Sequence, residues 1–275
     1  MRRFWKVTAA LTICAPVLGL AGTASAADLG GGYKDGGGAP VDEWAMGGLT
    51  VGGILVVKPK YEGSSEYELI GFPYILPDFG GAGAGFFDKI DARDFDDVRF
   101  ELIQRDGFIA GPVVGYSFGR DEDDGDLLEG LGDIDGGVVA GAFIGYRWGN
   151  FQVDSAFRHF FDDSEGFLID IDAKVERPIS ERMTLTGSIG ATYADDNYMD
   201  TYFGAGNFEA EAGFKDVHVE VGLKADLDAH WSTLASVRYS RLLGDAADSP
   251  IVEDENQWQG LLGLSYKFGV DQPYK

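Results

Sequence analysis

Cysteine and histidine are scarce in this chain, and long apolar runs are confined to its start. Cys14 is the single cysteine of 275 residues, and it lies in a segment with the features of an export signal. No disulfide is therefore predicted in the mature chain. The three histidines form no cluster at zinc spacing. Beyond the N-terminus, no apolar run reaches the about 18 residues that a spanning helix needs, although a β-barrel leaves a much weaker signal in each strand.

Positive charge is also scarce. The chain carries 22 Lys and Arg residues against 46 Asp and Glu residues, with a formal net charge of −24. Nucleic-acid binding needs a basic footprint, and attachment to an anionic membrane surface needs clustered cations. The composition therefore excludes general nucleic-acid binding and simple electrostatic docking on an anionic membrane surface.

The N-terminus has the three parts of a secretory signal peptide. A basic region, an apolar stretch and a small-x-small cleavage site follow one another: Arg2, Arg3 and Lys6, then residues 7–21, then Ala24-Ser25-Ala26. We predict a signal peptide over residues 1–26 and a mature chain that begins at Ala27. Residues 27–44 are Gly-rich and polar, which predicts a flexible leader on the periplasmic side.

The rest of the chain alternates apolar and polar residues with a period of two, as β-strands with two different faces do. The pattern is clearest near the C-terminus, where Trp258 and Leu262 share one face, and Gln257 and Lys267 share the other. The 41 glycines argue against a helical protein. Twelve candidate strands follow from the alternation: 45–58, 66–77, 85–92, 97–105, 108–119, 134–148, 150–161, 167–177, 183–194, 214–227, 231–243 and 256–268.

Two architectures accommodate such strands, a soluble two-sheet sandwich and a membrane barrel. Sandwich strands are usually about five or six residues long, whereas many of these candidates are about twice that length, and about 9–11 tilted residues cross a bilayer. Aromatic residues collect at the ends of the apolar faces, as in the interfacial girdles of barrels. They are Trp148, Phe151, Phe161, Tyr193, Trp231, Trp258, Tyr266 and Phe268.

The connections between the candidate strands favour the barrel. Those on one side are short (106–107, 149–150, 178–182 and 228–230), and those on the other are mostly long (120–133, 195–213 and 244–255, with 162–166 as the short exception). Outer-membrane barrels place short turns in the periplasm and longer loops outside. We predict an all-β fold over residues 45–275, an antiparallel transmembrane β-barrel of about 12 strands that is closed and of the outer-membrane type.

The long loops are rich in Asp and Glu, most densely over residues 121–126. The simpler interpretation is a solvated surface. The functional interpretation is divalent-cation bridging to lipopolysaccharide phosphates, because Ca²⁺ and Mg²⁺ prefer oxygen ligands. The glycine of the 121–126 run falls in the wrong place for an EF-hand loop, so we assign no metal site.

Charges of both signs fall on the polar side of the candidate strands, which would face the interior of a barrel. Unpaired burial of so many charges would be very costly, so we expect ion pairs and water inside. Twelve strands are intermediate between barrels filled by side chains and barrels that hold a channel. The predicted interior residues are Arg99, Glu101, Arg105, Arg147, Asp154, Arg158, Asp170, Asp172, Lys174, Glu176, Asp216, Glu220, Lys224, Arg238 and Lys267.

The sequence offers little for catalysis. One histidine, His218, has carboxylates on its own face at Asp216 and Glu220, which would orient an imidazole. A triad would also need a nucleophile, for which Ser236 and Ser240 on the next strand are the candidates. A network of interior charges explains the same residues more simply. We therefore predict no enzyme, no catalytic, cofactor-binding or metal-binding residues, and no cofactor.

Three stretches resemble a known family. They are Lys58-Pro59-Lys60-Tyr61-Glu62-Gly63-Ser64 after the first strand, the segment from Gly111-Pro112 to Gly136, and the closing Tyr266-Lys267-Phe268. Together they are similar to the MipA/OmpV family, the MltA-interacting proteins of Gram-negative outer membranes. Outer-membrane barrels usually end on an aromatic residue, whereas residues 269–275 follow Phe268 here. Recognition by the assembly machinery would then depend on Phe268 or on Tyr274.

The resemblance implies a location in the cell outer membrane and a choice between two functions. Some members are thought to scaffold a murein transglycosylase together with a penicillin-binding protein, and others are described as porin-like or adhesive. We expect a non-enzymatic scaffold or interaction protein for the cell-wall machinery, surrounded by outer-membrane lipid and lipopolysaccharide. The alternative is a narrow porin-like channel for small polar solutes.

Overall fold

A computed structural model describes residues 46–79 and 89–268, with side chains over 48–77 and 89–268. All of them belong to one unit, Asp42–Lys275. The predicted signal peptide, the leader and the residues after Phe268 lie outside the described residues. So do residues 85–88 of the third candidate strand.

Thirteen strands form the described part of the chain. Their bounds are β1 (Met46–Pro59), β2 (Tyr67–Phe79), β3 (Ile90–Asp94), β4 (Asp97–Phe100), β5 (Ile103–Arg105), β6 (Phe108–Ser117), β7 (Gly137–Trp148), β8 (Phe151–Phe161), β9 (Phe167–Ser180), β10 (Met183–Ala194), β11 (Gly213–Asp226), β12 (Trp231–Leu242) and β13 (Asn256–Phe268). The fourth candidate, 97–105, is interrupted at Glu101 and Leu102, and both halves pair with β6. Twelve candidates therefore correspond to thirteen strands.

The strands form one antiparallel sheet in the order β2-β1-β13-β12-β11-β10-β9-β8-β7-β6-β4-β3, with β5 also beside β6. The sheet curls back on itself, because β1 pairs with β13 from Leu49↔Phe268 to Val57↔Gly260. The two outer strands of this order are β2 and β3, and no backbone pairing joins them among the described residues. The Phe72 ring of β2 lies 4.6 Å from the ring of Phe95, which is in the turn between β3 and β4. The all-β antiparallel fold is confirmed, and full closure stays a prediction.

The two faces of the sheet differ as the alternation predicts. Large apolar side chains on the outer face are exposed, with Leu262 at 54% and Val219 at 44%. The inner face instead buries charged residues such as Asp154 and Arg158. A two-sheet sandwich would bury Val219 and Leu262 against each other in a dry centre. Their exposure rules out that alternative, because a continuous apolar outer face needs a nonpolar surrounding.

Among the described residues, the α-helices lie in the connections on one side of the sheet. Two short α-helices, α1 (Asp196–Phe203) and α2 (Gly244–Asp248), follow β10 and β12. Two 3₁₀ turns, Glu122–Asp124 and Asp126–Leu128, lie in the connection after β6. Among the described residues, no helix has the length and apolar character needed to span a membrane.

Residues 90–100 form an inner hairpin that differs from an ordinary wall strand pair. β3 pairs with β4, and the tip at Phe95 and Asp96 lies over the inner face of β6. The Tyr116 N–H donates to the Phe95 carbonyl at 2.9 Å. A Cβ at Gly115 would lie 2.4 Å from the Asp96 Cα, so only glycine permits this approach. Within the described part of the predicted third strand, 85–92, β3 begins at Ile90; it continues to Asp94 and lies partly inside the sheet's curve.

Candidate functional site

Most of the predicted interior charges lie on the inner face. Asp154, Arg158, Asp170, Asp172, Asp216, Arg99 and Glu101 are buried, and Lys174, Glu220 and Arg238 are half-buried. Two predictions are wrong. Arg105 ends β5 beside the turn and its side chain is 87% exposed, and Lys267 is exposed near the end of β13. The interruption at Glu101 and Leu102 shifts the alternation, so Arg105 lies on the same face as its cross-strand partner Phe108, which is 42% exposed. Lys267 lies too close to the end of β13 to be enclosed. The side chains of Arg147, Glu176 and Lys224 are about half exposed, at 43%, 44% and 54%.

The inner hairpin is held to the wall by two arginines. Arg93 donates to Asp154 at 2.8 Å and to Asp172 at 2.9 Å. Arg99, which is only 1% exposed, donates through Nε and Nη2 to both carboxylate oxygens of Asp97 at 2.8 Å each. Its Nη1 donates to Asp154. Asp154 therefore receives both guanidinium groups and ties β3 and β4 to β8.

A second ion pair fixes the hairpin tip. Arg158 on β8 donates to Asp170 on β9 at 2.7 Å and also contacts Asp96 at 2.7 Å. The Thr192 hydroxyl donates to Asp170 at 3.1 Å. The three strands β8, β9 and β10 thus hold the tip through one guanidinium and two carboxylates.

The imidazole of His218 is hydrogen-bonded to two carboxylates and not to a serine. Its Nδ1 is 3.0 Å from Asp216, and its Nε2 is 2.9 Å from Asp172. Ser240 is its cross-strand neighbour in the register of β11 and β12. Both ring nitrogens are committed to carboxylates, so the predicted charge network forms and neither Ser236 nor Ser240 is bonded to the imidazole. Among the described residues, no group of three or more His, Cys, Asp or Glu side chains is placed to hold a metal ion.

Two cavities lie along the inner face, one toward each end. The larger, of about 530 Å³, extends from Lys60 and Arg120 past His218. The smaller, of about 460 Å³, lies toward the short turns and is lined by Arg147 and Asn150 among others. Four residues line both of them: Ile90, Asp91, Lys174 and Lys224. The inner hairpin therefore separates two chambers that share part of their wall.

The long connections fold together into a structured loop cap, formed by residues 60–66, 118–136, 195–212 and 243–255. Its apolar side chains are buried, among them Leu128, Phe203 and Ile251, each at most 2% exposed. The Tyr61 hydroxyl donates to the Ile251 carbonyl at 3.1 Å, and the Ser249 hydroxyl donates to the Phe203 carbonyl. The interpretation of these loops as a merely solvated surface is therefore wrong for the buried part of the cap. The signal that sequence analysis missed is the few large apolar residues between the acidic ones.

The acidic residues of the loop cap accept backbone hydrogen bonds. Asp195 accepts from the Phe167 and Tyr198 N–H groups at 2.8 and 3.1 Å. Glu253 accepts from both the N–H and the hydroxyl of Ser65. These bonds to Ser65 lower the pKa of Glu253 below its ordinary value. Much of the negative charge of the loops thus satisfies backbone donors and joins one loop to another.

Curated proteins of known name are similar to this chain over part of its length. OmpV of Vibrio cholerae is 24% identical over 220 residues, which cover 76% of this chain and 81% of OmpV. The putative outer membrane protein YiaT of Escherichia coli is 28% identical over 131 residues, or 44% of this chain. The MltA-interacting protein of Escherichia coli is 29% identical over 118 residues, or 39% of this chain. The chain spans about half the length of these last two relatives, 52% and 46%.

Solved outer-membrane structures are also similar at low identity. The translocator domain of the autotransporter NalP from Neisseria meningitidis matches 82% of this chain and 90% of that domain, with 10% identity and a TM-score of 0.41. A loop-deletion mutant of OmpT from Vibrio cholerae matches 80% of this chain and 98% of that protein, with 7% identity and a TM-score of 0.39.

The family described as "MltA-interacting protein MipA" matches residues 51–268. This range contains nearly all the described strands, the inner hairpin and the loop cap. The relatives bear the names of outer-membrane and interaction proteins rather than of enzymes. The protein is thus located in the outer membrane, and the chain belongs to the MipA (MltA-interacting protein) family.

Proposed function

We propose that this protein is a closed outer-membrane β-barrel that acts without catalysis, as an interaction protein for the murein machinery. The observation that carries the proposal is the inner hairpin, which lies across the interior and is tied to the wall by Arg93, Arg99 and Arg158. An interior obstructed in this way is poorly suited to the passage of solutes. The outer surfaces of the barrel, rather than its interior, would then carry the function.

The proposed partners of the protein are inferred from its family and not from the chemistry of particular residues. One relative is named an MltA-interacting protein, which supports a murein transglycosylase as one partner. The family resemblance adds a penicillin-binding protein, and the exposed outer face implies outer-membrane lipid and lipopolysaccharide. Both enzymes would be met from the periplasm, through the leader at 27–44, the short turns and the residues after Phe268.

Recovery of partners from a periplasmic extract tests the interaction. The full mature chain, folded in detergent, is immobilised beside an unrelated barrel of similar size. We expect a murein transglycosylase to be enriched on this chain and not on the control. Deletion of residues 27–44 is expected to reduce the recovery without unfolding the barrel. Equal recovery on both barrels would contradict the proposal.

The second candidate function is a narrow channel, and a separate observation favours it. The two chambers share Ile90, Asp91, Lys174 and Lys224 as wall residues, so a small displacement of the hairpin would join them. Single-channel recording in planar bilayers distinguishes the two functions. A silent native protein supports the interaction protein, and reproducible conductance steps support the channel. Steps that appear only in Arg93→Gln would indicate that the hairpin holds a potential channel shut.

Processing at the N-terminus belongs to the same proposal. Export of the chain requires removal of residues 1–26, and the first residue of the mature protein would be Ala27. Intact-mass measurement of the protein extracted from the outer membrane tests this. A mass that retains Arg2 and Lys6 would contradict it.

A further inference from the structure

Arg120, in the loop cap, is a buried cation that forms no salt bridge within the described part of the chain, although the Asp124 carboxylate is near enough to favour its charged form and to oppose the lowering of its pKa by burial. The residue is 5% exposed, and its Nη1 donates to the Tyr202 carbonyl at 2.9 Å. Its Nε has no hydrogen-bond partner, and no salt bridge to it is found among the described residues. The other buried cations, Arg99, Arg158 and Lys215, are all paired with carboxylates. Burial of an unpaired charge is costly, so Arg120 is the exception that needs an explanation.

The backbone around Arg120 is rigidly held. Its N–H donates to the Ile134 carbonyl at 3.0 Å, and the Ile134 N–H donates back to the Arg120 carbonyl at 2.7 Å. Gly119, with φ of +67°, turns the chain into this bridge, and a Cβ there would lie 1.9 Å from the Ile134 oxygen. The backbone is thus held by these bonds, and the guanidinium is held by the bond from its Nη1 to the Tyr202 carbonyl, which reduces the entropy cost of binding.

Glu62, which lines the same cavity, has one carboxylate oxygen without a donor. Glu62 pairs with Lys215 through Oε1, whereas its buried Oε2 has no partner. Glu62 and Arg120 both line the larger chamber, together with Tyr61 and Tyr202. Burial chiefly raises the pKa of Tyr202; its hydrogen-bonded neighbour Asp162 and, less strongly, Glu62 raise it further, and the bond to Ser117 opposes the rise. Burial also lowers the pKa of Arg120, an effect that Tyr202, Tyr61 and Asp124 oppose. Tyr202 therefore lies within electrostatic range of both Arg120 and Glu62.

The chamber suits a small ligand of mixed charge. Its volume of about 530 Å³ falls in the usual range of small-molecule sites, about 300–1,000 Å³. As many Lys and Arg as Asp and Glu side chains line it. A multiply charged phosphate would be repelled by the carboxylates of Glu62, Asp96 and Asp216, and a simple cation would be repelled by Arg120. A molecule that carries one carboxylate and one ammonium meets neither obstacle.

We propose that the larger chamber binds a small zwitterion of the amino-acid class, with its carboxylate on Arg120 and its ammonium on Glu62. The planar guanidinium matches a carboxylate with parallel N–H donors. Oε2 of Glu62 accepts from the ammonium. The inference is independent of whether the interior conducts or the outer surfaces bind murein enzymes, because it concerns a chamber beneath the loop cap.

Calorimetry and thermal unfolding of the folded, detergent-solubilised mature chain test the proposal. The probes are L-serine, lactate, inorganic phosphate and choline, each titrated separately. We expect saturable binding of L-serine with a rise in Tm, weaker binding of lactate, and no saturable binding of phosphate or choline. Arg120→Gln is expected to weaken L-serine binding at least about tenfold, which corresponds to about 1.4 kcal/mol.

Three further variants keep the test informative. Glu62→Gln is expected to weaken L-serine binding and to leave lactate binding nearly unchanged, because lactate has no ammonium. Arg105→Gln, at an exposed turn, is the matched control and is expected to bind as the native protein does. Arg120→Lys keeps the positive charge but removes the parallel N–H donors of the guanidinium. It replaces Arg120→Gln in the binding experiment if that variant does not fold.

The outcomes that overturn the proposal are specific. Absence of saturable binding by L-serine would refute the site. Phosphate binding equal to serine binding would refute the zwitterion, and serine binding unaffected by both Arg120→Gln and Glu62→Gln would place the ligand elsewhere. A rise in Tm of ligand-free Arg120→Gln, without loss of serine binding, would show that Arg120 is only an uncompensated charge.

Discussion

Asp154 is the residue whose loss should most disturb the interior. Its carboxylate is fully buried and accepts from Arg93 at 2.8 Å, from Arg99 and from Gln152 at 2.7 Å. Replacement by Ala leaves two guanidinium groups without their shared acceptor. Arg93 keeps Asp172 and Asp91, and Arg99 keeps Asp97.

The size of the effect follows from this partial compensation. Removal of one partner from a buried ion pair usually costs about 3–5 kcal/mol, because the other charge is left uncompensated. The remaining carboxylates reduce the penalty, so we expect Asp154→Ala to lower the free energy of unfolding by about 3 kcal/mol. The exposed pair of Arg241 and Glu255, 2.6 Å apart, is the control, and Arg241→Gln is expected to cost about 0–1 kcal/mol.

Urea unfolding of the protein in lipid vesicles, followed by tryptophan fluorescence, measures both values. A double-mutant cycle of Asp154→Ala with Arg99→Ala then isolates the coupling between the two side chains, which we expect to lie between about 0.5 and 3 kcal/mol. A loss for Asp154→Ala no larger than that for Arg241→Gln, with zero coupling, would refute the reasoning. The inner hairpin would then be held by something other than its ion pairs.

Three further predictions concern the hairpin tip, the loop cap and acid. Gly115→Val should displace the tip and cost about 1–3 kcal/mol of unfolding free energy, whereas Gly260→Val, in open space, should cost less. Leu128→Ala in the cap core should open the loops to protease far more than Leu131→Ala, which is 39% exposed. The depressed pKa of Glu253 stabilises the cap fully above the ordinary value of 4.5. This contribution should vanish as the pH falls through the lower folded-state pKa, so proteolysis should rise in acid, and less so in Glu253→Gln.

The strands of the curved sheet were predictable because their signal is local. The candidates 183–194 and 256–268 have the same bounds as β10 and β13. In both, a period of two persists over at least twelve residues, which no helix or loop sustains. A one-residue slip would move every apolar side chain to the inner face, so the register is fixed by the same pattern.

The inner hairpin was not predictable in this way. Its strands are short, and what holds it are contacts between distant residues, such as Arg93 with Asp154, 61 positions apart. Alternation assigns a side chain to a face but not to a partner. The inner position of Arg99 was therefore predicted, whereas its role in tying β4 to β8 was not. The close approach of the hairpin tip at Gly115 was equally unpredictable, because one glycine among many in the sequence does not indicate which of them another segment packs against.

The loop cap shows why composition alone misled. A loop with many carboxylates is expected to be solvated, yet a carboxylate is also a strong acceptor for the backbone donors that a folded loop leaves unpaired. Asp195 and Asp245 serve in this way, the first for Tyr198 and the second for Glu211. The same carboxylates therefore give the loops their negative charge and help to fold them, by accepting backbone hydrogen bonds. The carboxylates that accept from the backbone are explained in this way, so the two buried atoms without a hydrogen-bond partner, Oε2 of Glu62 and Nε of Arg120, are the more informative ones.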